Sequence, residues 1–214
     1  MGVVVQGVGS AYVCFFPDLA VPGAAATVGA FAELAVAHGV GRLVLLSGRG
    51  EEEAQRAERA VQGAGADWTI VRCAWFSQNF SESFLLEPVL AGEVALPVDG
   101  VPEPFVDVED GHAGQIYELT GPRALTFAEA VAEIGRGAGR PVRFAPVSVE
   151  RFAATMVGQG VPDDVAGLMI YLFTEVLDGR NAQPADGVRR AIGRAPRDFR
   201  DYACATAATG AWAA

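Results

Sequence analysis

Residues 2–16 read GVVVQGVGSAYVCFF. The fold turns on this stretch, because valines running into Gly7 and Gly9 offer what a phosphate-cradling turn offers: an apolar strand delivering glycine N–H groups that no side chain shields. A cradle of that kind opens directly into a helix. Here a second apolar run follows instead, residues 11–16 (AYVCFF, from Ala11 to Phe16), and Pro17 stops it. The glycines therefore read as a turn into a strand.

Working outward, residues 23–38 place Ala24, Val28, Phe31, Leu34 and Ala35 at helical spacing, with Gly39 as the stop and His38 at the helix end. Residues 42–46 (RLVLL) form the next strand, ended by Ser47 and Gly48. A helix follows, with Glu51, Glu52 and Glu53 as its solvated first turn, complementing the helix dipole, and Gly63 or Gly65 as its end. Residues 68–73 (WTIVRC) make a third strand. Short apolar runs alternating with helical patterns predict a parallel sheet covered by helices, an α/β fold.

Beyond Asn79 the chain becomes rich in Pro and Gly, then gives a short strand at residues 116–121 (IYELTG). Thr126 and Glu129 have capping-box spacing, opening a helix to about Gly135. An extended PVRFAPV and two amphipathic helices, residues 149–156 and 163–177, come next; Phe199 and Tyr202 anchor the final segment. The expected organisation is one compact unit, with the sheet in residues 1–80 and further strands and helices in residues 81–214.

Composition narrows the function classes. With 214 residues, half of them apolar, the chain can bury one substantial core. Its net charge of −10, without a basic run, argues against nucleic acid as a partner. Cys14, Cys73 and Cys204 are too scattered for a disulfide framework or a metal site, and Cys14 and Cys73 are expected to be small buried hydrophobes. With no leader pattern and no apolar run near the ~20 residues of a membrane span, the expectation is a cytoplasmic protein that does not engage a membrane.

Several ordered segments carry a family resemblance: LVLLSG, DWTIVRCAWFSQNF, PFVDVED, GQIYELTGPRALTFAEA and GRPVRFAPV. The most specific is the strand followed by Arg72, Trp75, Phe76, Asn79 and Phe80. Over residues 10–205 the chain resembles the NmrA-like, atypical short-chain dehydrogenase/reductase proteins. That resemblance implies a truncated Rossmann-like parallel sheet with flanking helices and a small, mostly helical C-terminal substrate lobe. It matches residues 11–16 to the family's fourth strand, so about two βαβ units of ~30 residues, with the glycine-rich turn, are expected to be missing. The crossover helix after PFVDVED is expected to be deleted. Ala54 and Glu58 stand where many relatives in the wider superfamily carry a catalytic Tyr and its Lys.

The resemblance implies NAD or NADP as cofactor, touched by Phe16, Pro17, Ser47, Gly48, Cys73, Ala74, Trp75 and Phe76, and it removes the usual pyrophosphate anchor. The implied activity is NAD(P)H-linked oxidoreduction of a small apolar, aromatic or polyketide-like substrate. The alternative is a cofactor-free small-molecule-binding sensor or accessory protein. Read from the residues, a substrate pocket is expected from Phe76, Phe80, Met169 and Phe173, with Arg72, Asn79 and Tyr117 as orienting polar groups. No catalytic residue is assigned beyond the candidates Ser47 and His112; Ser47 reads equally as a ligand contact at a strand end and as a helix N-cap. His112 is a general acid or base candidate beside Asp107, Glu109 and Asp110, weighed against a solvated loop histidine. The strand from Ala11 to Phe16 is expected to be an apolar sheet edge, to be covered by the opening GVVVQGV or by a second copy in a homodimer.

Overall fold

The structure, a computed structural model, describes residues 7–107 and 115–213. Its centre is a parallel sheet built by β1 (Ser10–Val13), β2 (Arg42–Gly48), β3 (Asp67–Cys73) and β6 (Ile116–Leu119), in the order β1-β2-β3-β6 among the described residues. Two helices lie in the crossovers, α1 (Ala24–Ala37) and α2 (Glu52–Gly63). Alternation along β2 sends Leu43 and Leu45 to the face these helices cover, where Ala24, Val28, Ala32, Ala35, Ala54, Ala57 and Val61 meet them. Small residues let α1 and α2 approach closely: a Cβ on Gly29 would stand 3.1 Å from that of Ala60.

Most of the remaining elements build the lobe beside the sheet's C-terminal edge, one helix near the end of the chain packing back on β6. A 3₁₀ turn (Ser77–Phe80) leads to α3 (Leu86–Leu90), β4 (Glu93–Leu96) and β5 (Pro102–Glu103). After β6 come β7 (Leu125–Thr126), α4 (Phe127–Ala138), β8 (Arg143–Pro146), α5 (Val149–Gly158) and α6 (Asp163–Tyr171). The chain closes with α7 (Gly187–Ile192) and α8 (Phe199–Ala208). β4 pairs in parallel with β8, and β5 pairs antiparallel with β7. The lobe's core is aromatic: Phe80, Phe105, Phe127, Phe199, Tyr202 and Trp212 are buried together. Trp212 Nε1 donates to the Phe80 carbonyl at 2.8 Å, tying the chain's last turn to this core.

The capping box is formed as expected. Glu129 N–H donates to Thr126 Oγ1 at 3.1 Å and Thr126 N–H donates to Glu129 Oε2 at 2.7 Å. α4 outruns its predicted end at Gly135 and stops at Ala138, because Gly139 takes φ 66° there, a conformation that costs glycine nothing. The single helix expected over residues 163–177 is corrected to α6 followed by a π turn (Leu172–Val176).

The first strand is also corrected. β1 ends at Val13, so Cys14, Phe15 and Phe16 lie beyond it and Cys14 is exposed rather than a buried hydrophobe. β1 pairs only with β2 among the described residues, and Tyr12 is 63% exposed. Among the described residues that strand is a sheet edge, and most of the opening GVVVQGV expected to cover it lies outside them. Among the described residues no helix is long and apolar enough to cross a membrane.

Candidate functional site

All four strands of the sheet run in one direction, so their carboxyl ends come out along one edge, where open α/β sheets bind ligands. A cavity of about 1030 Å³ opens there, between that edge, α3 and the α5–α6 pair. The sheet side supplies residues 14–19, Leu46, Ser47, Gly48, Arg49, Glu51 and residues 73–76. The lobe side supplies Phe84 with Arg151, Phe152 and Met156 of α5 and Leu168 and Met169 of α6.

Every residue expected to touch the cofactor lies on this wall: Phe16, Pro17, Ser47, Gly48, Cys73, Ala74, Trp75 and Phe76. Of the expected substrate residues, Phe76, Asn79 and Met169 line the cavity. The other four are corrected. Phe80 is fully buried against Phe105 and Phe199, with ring centroids 5.6 and 5.5 Å away. Phe173 is core too, behind Trp75 at 5.0 Å, so it supports the wall without forming it. Tyr117 packs with Val71 and Val188 toward α7, under the guanidinium of Arg190. Arg72 is held in an ion-pair network.

That network explains Ser47 as well. Ser47, Arg72 and Glu118 are register neighbours across β2, β3 and β6. Glu58 of α2, almost fully buried, accepts from Ser47 Oγ at 2.6 Å and from Arg72 Nε and Nη2 at 2.8 and 2.5 Å. Glu118 lies 3.7 Å from Arg72 and accepts from Arg49 Nε at 3.1 Å. The two-pronged hydrogen bond that Arg72 donates to Glu58 raises the Arg72 pKa further. Ser47 is therefore not the N-cap of α2: its hydroxyl donates to Glu58, and Glu51 occupies that position.

Glu51 departs furthest from expectation. It is not part of a solvated helix start: it is only 8% exposed, and its carboxyl lies over Gly48, where a Cβ would come within 2.0 Å of it. It shares a hydrogen bond with the carboxyl of Asp18, which also accepts from Ala20 N–H at 2.7 Å. No N–H or O–H group of another residue reaches the buried Glu51 Oε2. Burial, with negative Asp18 and Glu58 nearby, pushes Glu51 up to about 8. Burial likewise raises Asp18, against the Ala20 N–H, and pushes the Glu103 carboxyl at the cavity's back up to about 7. Burial also pushes the Cys73 thiol up to about 12, which keeps it neutral and unreactive.

Sequence reasoning missed Asp18, Glu51 and Glu103. The position of Glu51 three residues past the end of a parallel strand, in G-R-G-E, is the one signal that could have placed it near the site, though not its burial. His112 lies outside the described residues, as do Glu109 and Asp110. Asp107 is buried, accepting from Gln78 at 2.8 Å and from Arg197 at 3.0 Å. Among the described residues no cluster of three or more metal-ligating side chains occurs.

No family model matches the sequence. Curated relatives do. The chain is 31% identical over 166 residues to an NAD(P)H azoreductase of Xenophilus azovorans, across 71% of this chain and 57% of that protein. It is 31% identical over 193 residues to a (4-alkanoyl-5-oxo-2,5-dihydrofuran-3-yl)methyl phosphate reductase of Streptomyces griseus, across 80% and 68%. The chain thus spans little more than half the length of the first curated relatives it matches. Among solved structures, an NADPH-dependent quinone oxidoreductase of Escherichia coli in complex with NADPH superposes with a TM-score of 0.77 at 20% identity, covering 93% of this chain and 76% of that one. That likeness concerns the fold.

Proposed function

Since the chain belongs to the NmrA-like, atypical short-chain dehydrogenase/reductase family of NAD(P)-binding Rossmann proteins, we propose that it serves an NAD(P)H-linked reduction of a small, largely apolar substrate in the cavity at the sheet's carboxyl edge. The observation that carries this reading is the cavity itself. It lies where three parallel strands end, and an apolar, aromatic wall faces a second wall from the lobe.

The residues present fit one end of the cofactor. Ala74, Trp75 and Phe76 offer an apolar shelf for a nicotinamide ring, and Phe16, Pro17 and Gly48 flank the place of its ribose. A reduced nicotinamide, if held there, would supply the hydride. The pyrophosphate end has no such support among the described residues. The turn Gly48, Arg49, Gly50 runs from β2 to α2 at the cavity, yet it leads into Glu52 and Glu53, whose charges oppose a phosphate. Arg49 is engaged by Glu118 and by the carbonyls of Asn181 and Gln183 at 2.7 and 3.0 Å. No residue is therefore assigned to the pyrophosphate.

The chain's own groups orient and enclose. Glu58, Arg72 and Glu118 hold the ends of β2, β3 and β6 in fixed register, so the shelf from Cys73 to Phe76 keeps its shape. Phe152, Met156 and Met169 close the opposite side and exclude water from an apolar substrate. Fluorescence titration with NADPH and NADH, followed by cofactor oxidation with a quinone or an azo compound, tests the proposal. Micromolar binding and acceptor-dependent oxidation are expected; no binding of either dinucleotide overturns it.

The β1 edge, which has no second strand partner among the described residues, supports a second part of the reading, that two copies pair there in a homodimer. The cytoplasm is the proposed compartment, in keeping with the three free cysteines.

A further inference from the structure

A reduction of this kind needs a proton as well as a hydride, and few groups on the cavity wall can give one. The sequence contains no lysine, and among the described residues no tyrosine or histidine lines the cavity. Ser47 directs its hydroxyl to Glu58, and burial leaves the Cys73 thiol too weakly acidic. Glu87 is exposed to solvent and Glu93 is paired with Arg143. Asp18 accepts from Ala20 N–H, which favours its charged form, and Glu51 is turned onto Gly48 with Oε2 closed off. Glu103 differs from all of these. It lies in β5, opposite Leu125 of β7, and faces the back of the cavity with only 1% of its surface exposed. Trp75 N–H donates to its Oε1 at 3.4 Å, the one hydrogen bond this carboxyl makes among the described residues. Glu51 Oε2 is the only closed-off side-chain oxygen there without a partner, so the free oxygen of Glu103, Oε2, opens to the cavity.

We propose that Glu103 is the proton donor of the reduction, giving its proton through Oε2 to a substrate heteroatom beside the shelf from Ala74 to Phe76. This deepens the reductase reading and rests on it. The substrate accepts a hydride from the reduced dinucleotide at one end of a conjugated double-bond system, which leaves an electron pair and a negative charge on its oxygen or nitrogen. That pair forms a new O–H or N–H bond as the Glu103 O–H bond breaks, and the carboxylate then recovers a proton from solvent. The surroundings favour a carboxyl that keeps its proton. Trp75 contributes a backbone N–H, β7 brings Leu125 and Thr126 without charge, and the cation whose field reaches Glu103, Arg49, is tied to Glu118. Burial outweighs that field and holds Glu103 protonated up to about pH 7. The proton is therefore present below that value and is lost above it, and turnover falls with it.

Wild type and E103Q, whose amide oxygen can still accept from Trp75 N–H, are compared in two separate measurements. NADPH binding is followed by fluorescence, and NADPH oxidation by a quinone is followed between about pH 5 and about pH 9, a range that spans the titration of the donor. Wild-type turnover is expected to be level at low pH and to fall roughly tenfold per unit once pH passes about 7. E103Q is expected to lose about a hundredfold in turnover, and the pH dependence with it, while binding NADPH within about twofold of wild type. In E103A, added formate is expected to restore part of the turnover by supplying a small carboxylic acid in the vacated space. A wild-type profile that is flat across this range overturns the proposal without any variant. Equal turnover and equal pH profiles in wild type and E103Q, with NADPH bound by both, also overturn it and leave the reductase reading standing. Failure of the wild type to bind NADPH or NADH overturns both.

Discussion

At the scale of single residues, most of the site's chemistry comes from burying carboxyls, and their pH behaviour follows. Glu51 ionises near 4.3 in an unfolded chain and near 8 in the fold, so between those values the folded state holds the extra proton. The associated stability is complete below about pH 4 and is lost as pH rises through about 8. Asp18 and Glu103, raised by burial as well, act with the same sign. Glu51→Gln keeps the shape and can donate its amide N–H to Asp18. It should raise the melting temperature at pH 8.5 by an amount equivalent to on the order of 2 kcal/mol and change little at pH 5, as differential scanning fluorimetry across pH would show. Arg72→Met has the opposite effect. It leaves Glu58 buried with only Ser47 as partner, and a loss of about 3 kcal/mol in urea denaturation is expected. Neither carboxyl of the Asp18–Glu51 pair was legible as buried from its neighbours, since Glu51 opens a run of three glutamates that local rules place in solvent.

At the scale of elements, local signals were read well wherever they act within one turn. The Thr126–Glu129 box begins α4 as its spacing predicts, and Thr126→Ala should cost about 1 kcal/mol, measured by chemical denaturation. Strands were legible because apolar runs between turns fit only a buried parallel sheet; β2 and β3 came within two residues of their predicted ends. β1 was overextended because AYVCFF stays apolar past Val13, where the pairing with β2 ends. Close approach between elements was not legible at all. Gly187, the first residue of α7, sits so near β6 that a Cβ would come within 2.2 Å of the Glu118 carbonyl oxygen. Gly187→Ala should push α7 from the sheet and destabilise the fold by roughly 2 kcal/mol, again by denaturation.

At the scale of the whole molecule, the β1 edge and the cavity are neighbours, since the chain leaves β1 directly into residues 14–19 of the cavity wall. If β1 pairs two copies, Tyr12→Lys should convert a dimer to a monomer in light scattering, because a charge on an edge strand opposes further pairing. Sequence alone determined the parallel α/β order, the capping box of α4 and the ring of residues at the ends of β1, β2 and β3. Each of these depends on periodicity or on neighbours within a few positions, and strand ends fall together once the strands are parallel. Tertiary structure alone decided which side chains face the cavity. It turned Phe80 and Phe173 into core, engaged Ser47 and Arg72 with Glu58, and pressed Glu51 against Asp18 across a separation of 33 positions in the chain. Burial and charge pairing are properties of residues brought together from distant parts of the chain, so no local pattern in the sequence encodes them.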